Sequence, residues 1–467
     1  MATTNAQLAY MSLAEVAKRI ATRELSPREV TLATIDRITA IEPKLHSYYT
    51  ILAADALVAA EEAEKQIQKG NYKGPLHGIP LAVKDIYESG PTTGGSKLRK
   101  DYVARQDCTS VQKLKQAGGI ILGKLATYEF AFGVPTMASY FQPARNPWNL
   151  DIDPGGSSSG SGAAVAAGLA YGAMGSDTGG SIRWPAFCCG IVGMKATYGR
   201  VSRAGVFPLS WNLDHTGPMT RTVEDCALML QGCAGYDPLD PASANEPVPD
   251  FSAKLGRDIK GLRIGIPRRL FMSNCDKEIL ASVETAIAQM TTLGAVVTDV
   301  DSITFEEMFA LIWPIIAADA AAYHLEDMKT RPGDYNPDLR MMLAIGTLVS
   351  GTGYLQAQRA RDQIRRDMLR QLETVDLFLM PTTGFLPGRV RSEPPASSFL
   401  TADGFSIYTP LMNLTGFPTL ALPCGFSASG LPIGFELAGK PFDEATVFQV
   451  GHAYEQSTSW HQRHPAL

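Results

Sequence analysis

The sequence of 467 residues is poor in cysteine, in net charge and in long apolar runs. Its seven cysteines are odd in number and show no C-x-x-C pairing, which argues against a disulfide framework and against a zinc site. The net charge of −5 leaves no basic stripe that would bind nucleic-acid phosphates. We therefore expect reduced thiols, no metal centre and no nucleic-acid partner.

Neither a signal peptide nor a membrane span is predicted. The N-terminal MATTNAQLAYMS lacks the basic and apolar regions of a secretory signal, and the most apolar later run, residues 308–318, is short and contains Pro314. Apolar residues make up 45% of the chain, which is enough to bury a large core. These features predict a globular, cytoplasmic protein.

Helix and strand patterns alternate along the chain, as in α/β proteins. Ser12 and Ser26 each stand three residues before a glutamate, a spacing typical of helix starts, and a third helix is predicted over 53–68. Residues 261–300 predict a strand, a helix and a strand in succession. Residues 303–372 are predicted to be largely helical, either as core or as a lid over an apolar ligand.

Two short motifs match known functional patterns, but the neighbouring residues do not fit the structure that each pattern requires. A G-x-S-x-G motif at 156–160 would make Ser158 a nucleophile on a strand-to-helix turn, yet the preceding NPWNLDIDPGG is too rich in proline and aspartate for a strand. GGIILGK, residues 118–124, resembles a phosphate-binding loop but has Leu125 where Ser or Thr is required. We favour an ordinary turn before a strand there.

Glycine and serine are concentrated in two runs, GGSSSGSGAAVAAG at 155–168 and GSDTGGSIRWPA at 175–186. The apolar segment between them is rich in small residues and is predicted to be helical, so that the two runs can meet. A single run of this kind is usually a connecting loop, but two runs separated by a small-residue helix favour a shared site.

The second run has the composition of an anion-binding loop. Glycines allow backbone N–H groups to turn inward, and a concave set of donors could stabilise a developing oxyanion. A serine at the end of the run, Ser181, is then placed to attack a carbonyl carbon. The residues expected to supply the donors are Thr178, Gly179 and Gly180, together with Ser181 itself.

A serine nucleophile requires a base. His77 and His215 lie among Gly- and Pro-containing loops without the partner pattern of a Ser-His-Asp triad, and a structural role is favoured for both. Lys84 ends the apolar stretch GIPLAVK, where burial would lower its pKa toward the neutral, basic form. Lys84 is the better candidate for the base.

The motifs GIPLAVKD, GGSSSGSGAAVAAG, GSDTGGSIRWPA and GMKATYGRVS occur in this order, followed by LDHTGPMTRTVEDCALML, DLFLMPTTG and NLTGFPTLALPCG. In this combination the whole chain resembles the amidase signature family. The resemblance implies one α/β/α domain over 1–467, built around a large twisted mixed sheet. Within it we expect N-terminal helices in 1–70, the signature core in 71–235 and a helical substrate region or lid in 303–372.

The resemblance also implies a Ser-cisSer-Lys arrangement. Ser181 would be the nucleophile, Ser157 the bridging serine that follows a cis peptide bond, and Lys84 the base. The usual family run has a glycine where this chain has Ser159, a departure that leaves the bridging serine in place. The residues expected to support the three catalytic groups are Ser158, Asp177 and Arg183, the last two as an ion pair.

The activity that the resemblance implies is hydrolysis of C–N amide bonds in small, fairly apolar molecules, with carbamates (urethanes) and esters as further substrates. A rival is the glutamine-hydrolysing A subunit of a tRNA-dependent amidotransferase, which shares YGRVS and GPMTRTVED and would need partner subunits. A non-catalytic binding protein is disfavoured because Lys84, Ser157 and Ser181 are all present. No metal or organic cofactor is implied, and a homo-oligomer is compatible with the sequence.

The substrate pocket is expected to suit aryl or alkyl groups rather than a charged acid. Two departures from the family, the loop at 85–96 and Trp184, are expected to influence specificity. The candidates for its wall are the apolar segment 303–316 and the aromatic residues that precede the first serine run, Phe130, Phe132 and Tyr140. Core packing is the favoured role for any one of these aromatics.

Overall fold

The computed structural model describes residues 5–392 and 407–467 of the chain. In these residues eleven strands form one mixed sheet. The strands are β1 (Tyr48–Ile51), β2 (Pro80–Lys84), β3 (Ile120–Leu125), β4 (Gly172–Asp177), β5 (Val192–Lys195), β6 (His215–Thr220), β7 (Arg263–Ile266), β8 (Val296–Asp299), β9 (Leu377–Pro381), β10 (Thr419–Phe426) and β11 (Pro432–Gly439).

Sixteen α-helices accompany the sheet in the same described residues, so the predicted α/β fold around a large mixed sheet is confirmed. The helices are α1 (Asn5–Tyr10), α2 (Leu13–Ala21), α3 (Pro27–Leu45), α4 (Ala53–Gln68), α5 (Thr109–Gln116), α6 (Ser159–Ala166), α7 (Arg183–Cys189), α8 (Val223–Cys233), α9 (Arg268–Phe271), α10 (Lys277–Thr292), α11 (Phe305–Tyr323), α12 (Leu325–Thr330), α13 (Pro337–Gly346), α14 (Gly351–Gln371), α15 (Pro410–Thr415) and α16 (Glu444–Gln456).

The strands follow the spatial order β1-β3-β2-β4-β6-β5-β10-β11-β9-β7-β8. Strand β2 lies between β3 and β4 and runs parallel to both, whereas β4 is antiparallel to β6. The carboxyl ends of parallel neighbours lie at one edge of a sheet, which is where ligands bind in open α/β sheets. Lys84 at the end of β2 and Asp177 at the end of β4 therefore lie at the same edge.

Most of the predicted elements are present. The side chains of Ser12 and Ser26 cap α2 and α3 by accepting N–H groups three residues later, and α4 spans the predicted 53–68. The strand, helix and strand predicted over 261–300 are β7, α10 and β8. The predicted helical region 303–372 contains α11 to α14, and in the part of the chain that the structure describes no helix is long and apolar enough to cross a membrane.

The segment between the two glycine-serine runs, which the sequence predicts to be helical, is helical only in its first part. Helix α6 ends at Ala166, because Gly168 takes a left-handed conformation with φ of +70°, and strand β4 begins at Gly172. Strand β4 is buried along its length between β2 and β6, and a side chain at Gly172 would press against the Met229 sulfur. The small residues of β4 therefore allow close packing within the sheet rather than packing between helices.

Candidate active site

Lys84 is fully buried at the carboxyl end of β2. Its Nζ lies 2.6 Å from the Oγ of Ser157 and 2.9 Å from the Oγ of Ser176. Burial lowers the pKa of Lys84 from 10.5 to about 7, although the carboxylates of Asp177 and Asp214 act in the opposite direction. A large fraction of this amine is therefore neutral near pH 7, which is the form a base requires.

Ser157 lies in a tight turn that follows the cis peptide bond between Gly156 and Ser157. Its carbonyl oxygen accepts the N–H of Tyr128 at 3.1 Å. The ring of Tyr128 packs so closely on Gly156 that a side chain there would overlap the ring atoms. Glycine at this position therefore allows the turn and the tyrosine ring to approach each other.

The two glycine-serine runs meet, as predicted. The N–H of Ser158 donates to the carbonyl oxygen of Ser181 at 3.2 Å. The Oγ of Ser158 accepts the N–H of Ser176 at 3.2 Å, at the end of β4. Ser158 thus connects the turn that carries Ser157 to the loop that carries Ser181, which is a structural role and not that of a nucleophile. No strand lies immediately before Ser158, since residues 153–157 have no strand structure, as the sequence predicts.

The buried carboxylate of Asp177 organises the loop that ends in Ser181. It accepts the N–H groups of Gly180 at 2.8 Å and Ile182 at 3.1 Å, and it forms an ion pair of 2.9 Å with Arg183, both side chains being fully buried. Burial alone would raise the pKa of Asp177, but the charge and hydrogen bonds of Arg183 hold it well below its ordinary value. Asp177 therefore remains ionised.

The arrangement of N–H donors differs from the sequence expectation at Gly180. Its N–H is engaged by Asp177, so in this conformation it is not available to an oxyanion. The N–H groups of Thr178, Gly179 and Ser181 have no hydrogen-bond partner within residues 5–392 and 407–467. Gly180 instead has a conformational role, because its φ is +131° and a side chain there would overlap the Thr409 hydroxyl.

Arg183 connects the loop that ends in Ser181 to distant parts of the chain. Its guanidinium donates to the Glu436 carboxylate at 2.9 Å, to the Asn413 side-chain oxygen at 2.7 Å and to the Thr409 carbonyl at 2.9 Å. Asn413 donates in turn to Asp177 at 2.8 Å. The loop is thus held by residues more than 200 positions away in the sequence, and no local pattern indicates them.

A cavity of about 210 Å³ opens over Ser157 and Ser181. Its wall is largely apolar, which agrees with the expectation for aryl or alkyl groups, and it includes the expected Phe132 and Trp184. It also contains three charged residues that were not expected, Asp153, Arg389 and Arg391. The other lining residues are Tyr128, Ala131, Val134, Gly156, Thr178, Gly179, Gly180, Leu209, Ile316, Phe385, Pro387, Gly388 and Ile407.

Three features expected near this pocket do not line it. Phe130 is buried elsewhere, with its ring 4.6 Å from that of Phe207, and the backbone reversal at Phe130 (φ of +48°) turns it away from the cavity. Tyr140 is 56% exposed and packs on Phe141 beside a separate cavity. The loop 85–96 contributes no residue to the cavity wall; its Asp85 pairs instead with Lys124 at 3.6 Å, both buried.

The sequence reasoning missed Ser176, although it lies inside the GSDTGGS motif. Its hydroxyl contacts Lys84, and the only local signal was its position one residue before Asp177. The two histidines occupy structural positions: the ring of His77 accepts the Lys73 N–H at 3.1 Å, and that of His215 lies 2.6 Å from the Leu213 carbonyl. Among the described residues no group of three or more His, Cys, Asp and Glu could hold a metal ion.

Known proteins are similar to this chain along almost its whole length. The sequence pattern of the Amidase family matches residues 29–448. The chain is 42% identical over 466 residues to an amidase of Pseudomonas putida, covering 98% of both proteins. It is also 42% identical over 489 residues to the A subunit of glutamyl-tRNA(Gln) amidotransferase from Moorella thermoacetica, covering 99% of both. A solved bacterial aryl acylamidase of the amidase signature family superposes with a TM-score of 0.87 at 28% identity, covering 97% of each chain.

These matches define the class of protein as a hydrolase of amide C–N bonds. The chain belongs to the amidase signature family. Because several similar proteins are named as A subunits of a glutamyl-tRNA(Gln) amidotransferase, the absence of a nucleic-acid partner stays a prediction.

Proposed function

We propose that the protein is a free-standing amidase that cleaves small, fairly apolar amides through an acyl-enzyme on Ser181. The observation that carries this proposal is the contact between the buried Lys84 amine and the Ser157 hydroxyl, beneath a cavity that Ser181 also lines. A buried amine that is neutral near pH 7 is a suitable base for a serine relay.

The proposed first step is attack of the Ser181 Oγ on the substrate carbonyl carbon. The proton of Ser181 passes to Ser157 while the proton of Ser157 passes to Lys84, so that no charge accumulates on Ser157. The free N–H groups of Thr178, Gly179 and Ser181 stabilise the negative oxygen of the tetrahedral intermediate. Lys84 and Ser157 then return a proton to the leaving nitrogen as the C–N bond breaks.

The second step returns the enzyme to its starting state. Water attacks the acyl ester on Ser181 and gives its proton through Ser157 to Lys84. The proton then returns through Ser157 to the Ser181 oxygen as its bond to the acyl carbon breaks, and the carboxylic acid product is released. Asp177 and Arg183 keep the nucleophile loop in place throughout. Because the relay needs only a leaving group that accepts a proton, carbamates and esters of similar shape are proposed as further substrates.

A second candidate function is glutamine hydrolysis for a tRNA-dependent amidotransferase. The identity to the Moorella thermoacetica protein supports it, and so does the presence of Asp153, Arg389 and Arg391 in the cavity wall, because glutamine carries an ammonium and a carboxylate. We favour the free-standing amidase because the remainder of the wall is largely apolar, including Phe132, Trp184 and Ile316.

The test is a hydrolysis screen of the purified protein with an aryl anilide, an aryl carbamate, an aryl ester and glutamine. The proposal predicts turnover of the anilide without any partner and a loss of at least about a thousandfold in Ser181→Ala. Ser159→Ala is the matched control, since that buried hydroxyl bonds only to the Ala126 carbonyl, and it should retain activity. Turnover of glutamine alone, or activity only after a partner is added, would favour the second candidate.

A further inference from the structure

Asp153 is the one carboxylate among the described residues that line the cavity. It lies in the turn that leads through Gly155 and Gly156 to Ser157. Its Oδ1 accepts the N–H of Gly155 at 2.7 Å and the hydroxyl of Tyr128 at 3.1 Å. The Gly155 N–H belongs to the turn, and the Tyr128 hydroxyl belongs to the ring packed on it. Oδ1 therefore holds the turn in place.

The second carboxylate oxygen, Oδ2, takes no part in holding the turn. No residue in the described ranges donates a hydrogen bond to it, and the positive charges of Arg391 and Arg145 act on Asp153 only at longer range. The side chain is partly exposed, and the surface it contributes to is the cavity wall. Burial raises the pKa of Asp153, while the Gly155 and Tyr128 donors partly offset that effect. An acceptor that faces the cavity without a protein donor is available to a donor on a bound molecule.

We propose that Asp153 is a specificity-determining residue whose Oδ2 accepts a hydrogen bond from an N–H or O–H group that the substrate carries beside its scissile carbonyl. This inference rests on the proposed function, since it assumes that the carbonyl lies at Ser181. The location follows from the turn, because Asp153 and Ser157 are four residues apart and line the same cavity. An ammonium, a hydroxyl or a second amide N–H fits this acceptor, whereas a carboxylate there would be repelled.

The wild-type enzyme gives the first measurement, with three 4-nitroanilides of equal size. Alanyl, lactoyl and isobutyryl anilides differ only in carrying an ammonium, a hydroxyl or a methyl group beside the carbonyl. We expect kcat/KM for the alanyl and lactoyl compounds to exceed that for the isobutyryl compound by about tenfold or more, as for a hydrogen bond to a charged group. Equal values for the three compounds would overturn the inference.

The Asp153→Asn variant then separates recognition of the substrate by Asp153 from the intrinsic reactivity of the three anilides. The Gly155 and Tyr128 donors fix the amide oxygen in the place of Oδ1, so the NH₂ group takes the place of Oδ2 and a donor replaces the acceptor. The preference for alanyl and lactoyl anilides should fall by about tenfold in this variant. An unchanged preference would contradict the inference.

Tyr128→Phe is the matched control, because it removes a hydrogen bond to Oδ1 and leaves Oδ2 untouched. It should lower kcat for the three anilides alike, without changing their ratios. If Tyr128→Phe abolished the preference as Asp153→Asn does, Asp153 would only hold the turn and the inference would fail. If Ser181→Ala kept its turnover, the proposed function itself would fail; if that variant is inactive while Asp153→Asn keeps the preference, only the specificity inference fails.

Discussion

The Nζ of Lys84 and the Oγ of Ser157 lie 2.6 Å apart, and both side chains are at least 98% buried. A solvated lysine would be protonated at neutral pH and could not accept a proton. Here burial lowers the pKa of Lys84 to about 7, because the charged form loses its hydration. The pair therefore has the separation and the electrostatic setting of a base and the hydroxyl that it serves.

This setting predicts the pH dependence of the reaction. Activity requires neutral Lys84, so kcat/KM for an uncharged anilide should rise with pH, level off above 7, and fall about tenfold for each unit below 7. The measurement is kcat/KM from pH 5.5 to 9, with circular dichroism at each pH to show that the fold persists. A profile that is flat down to pH 5.5, or one that rises only near pH 10, would contradict the role of Lys84.

Ser176 is predicted to orient the Lys84 amine, since its hydroxyl is the second group within 3 Å of Nζ. Ser176→Ala should lower kcat by about tenfold to a hundredfold with little change in KM, because it removes a hydrogen bond to a catalytic group but no wall of the substrate cavity. Ser176→Thr keeps a hydroxyl and should keep most of the activity.

The matched control for Ser176 is Ser161→Ala. The Ser161 hydroxyl is equally buried and bonds to the Met174 carbonyl in the same strand β4 at 3.2 Å, without contact to Lys84. Steady-state kinetics of Ser176→Ala, Ser176→Thr and Ser161→Ala on one anilide distinguish an orienting role of Ser176 from a packing role. Equal losses in Ser176→Ala and Ser161→Ala would show a packing defect instead of orientation.

Arg183 is predicted to stabilise the folded chain as well as the loop. Arg183→Met would leave the buried carboxylates of Asp177 and Glu436 without their cation, and breaking such a pair costs about 3–5 kcal/mol of unfolding free energy. The exposed pair between Arg370 and Asp367 provides the control: Arg370→Ala should cost less than about 1 kcal/mol. Urea unfolding of both variants measures the difference, and equal costs would refute the structural role.

The adjacent residues Gly179 and Gly180 should differ in how strongly replacement by alanine destabilises the protein. Gly180→Ala should destabilise the protein and abolish activity, because φ is +131° and the added carbon would overlap the Thr409 hydroxyl. Gly179→Ala places its methyl in ordinary contact with Ile316, 3.7 Å away, and should leave the melting temperature within a few degrees of the wild type. Thermal unfolding compares the two, and similar melting temperatures would be inconsistent with the described loop conformation.

Features that depend on local chemistry could be predicted from the sequence. The caps at Ser12 and Ser26, the helix over 53–68 and the meeting of the two glycine-serine runs follow from spacing and composition. The buried position of Lys84 followed from the apolar stretch before it.

Features that depend on distant contacts could not be predicted. The N–H of Gly180 turns to Asp177 in a loop that Asn413, Thr409 and Glu436 hold through Arg183, and these residues lie more than 200 positions further on. Phe130 does not line the cavity, because its backbone has a φ of +48° and its ring packs on that of Phe207. Neither feature has a local sequence signal.

The most direct test of the central claim is to identify the residue that becomes acylated. The protein is incubated with a slowly hydrolysed aryl carbamate, and intact mass and peptide mapping locate the added acyl group. The account predicts one acyl group on Ser181 itself, located by fragmentation within its peptide, and none in Ser181→Ala. An acyl group on Ser157 or Ser158, or turnover of an anilide in Ser181→Ala at the wild-type rate, would contradict it.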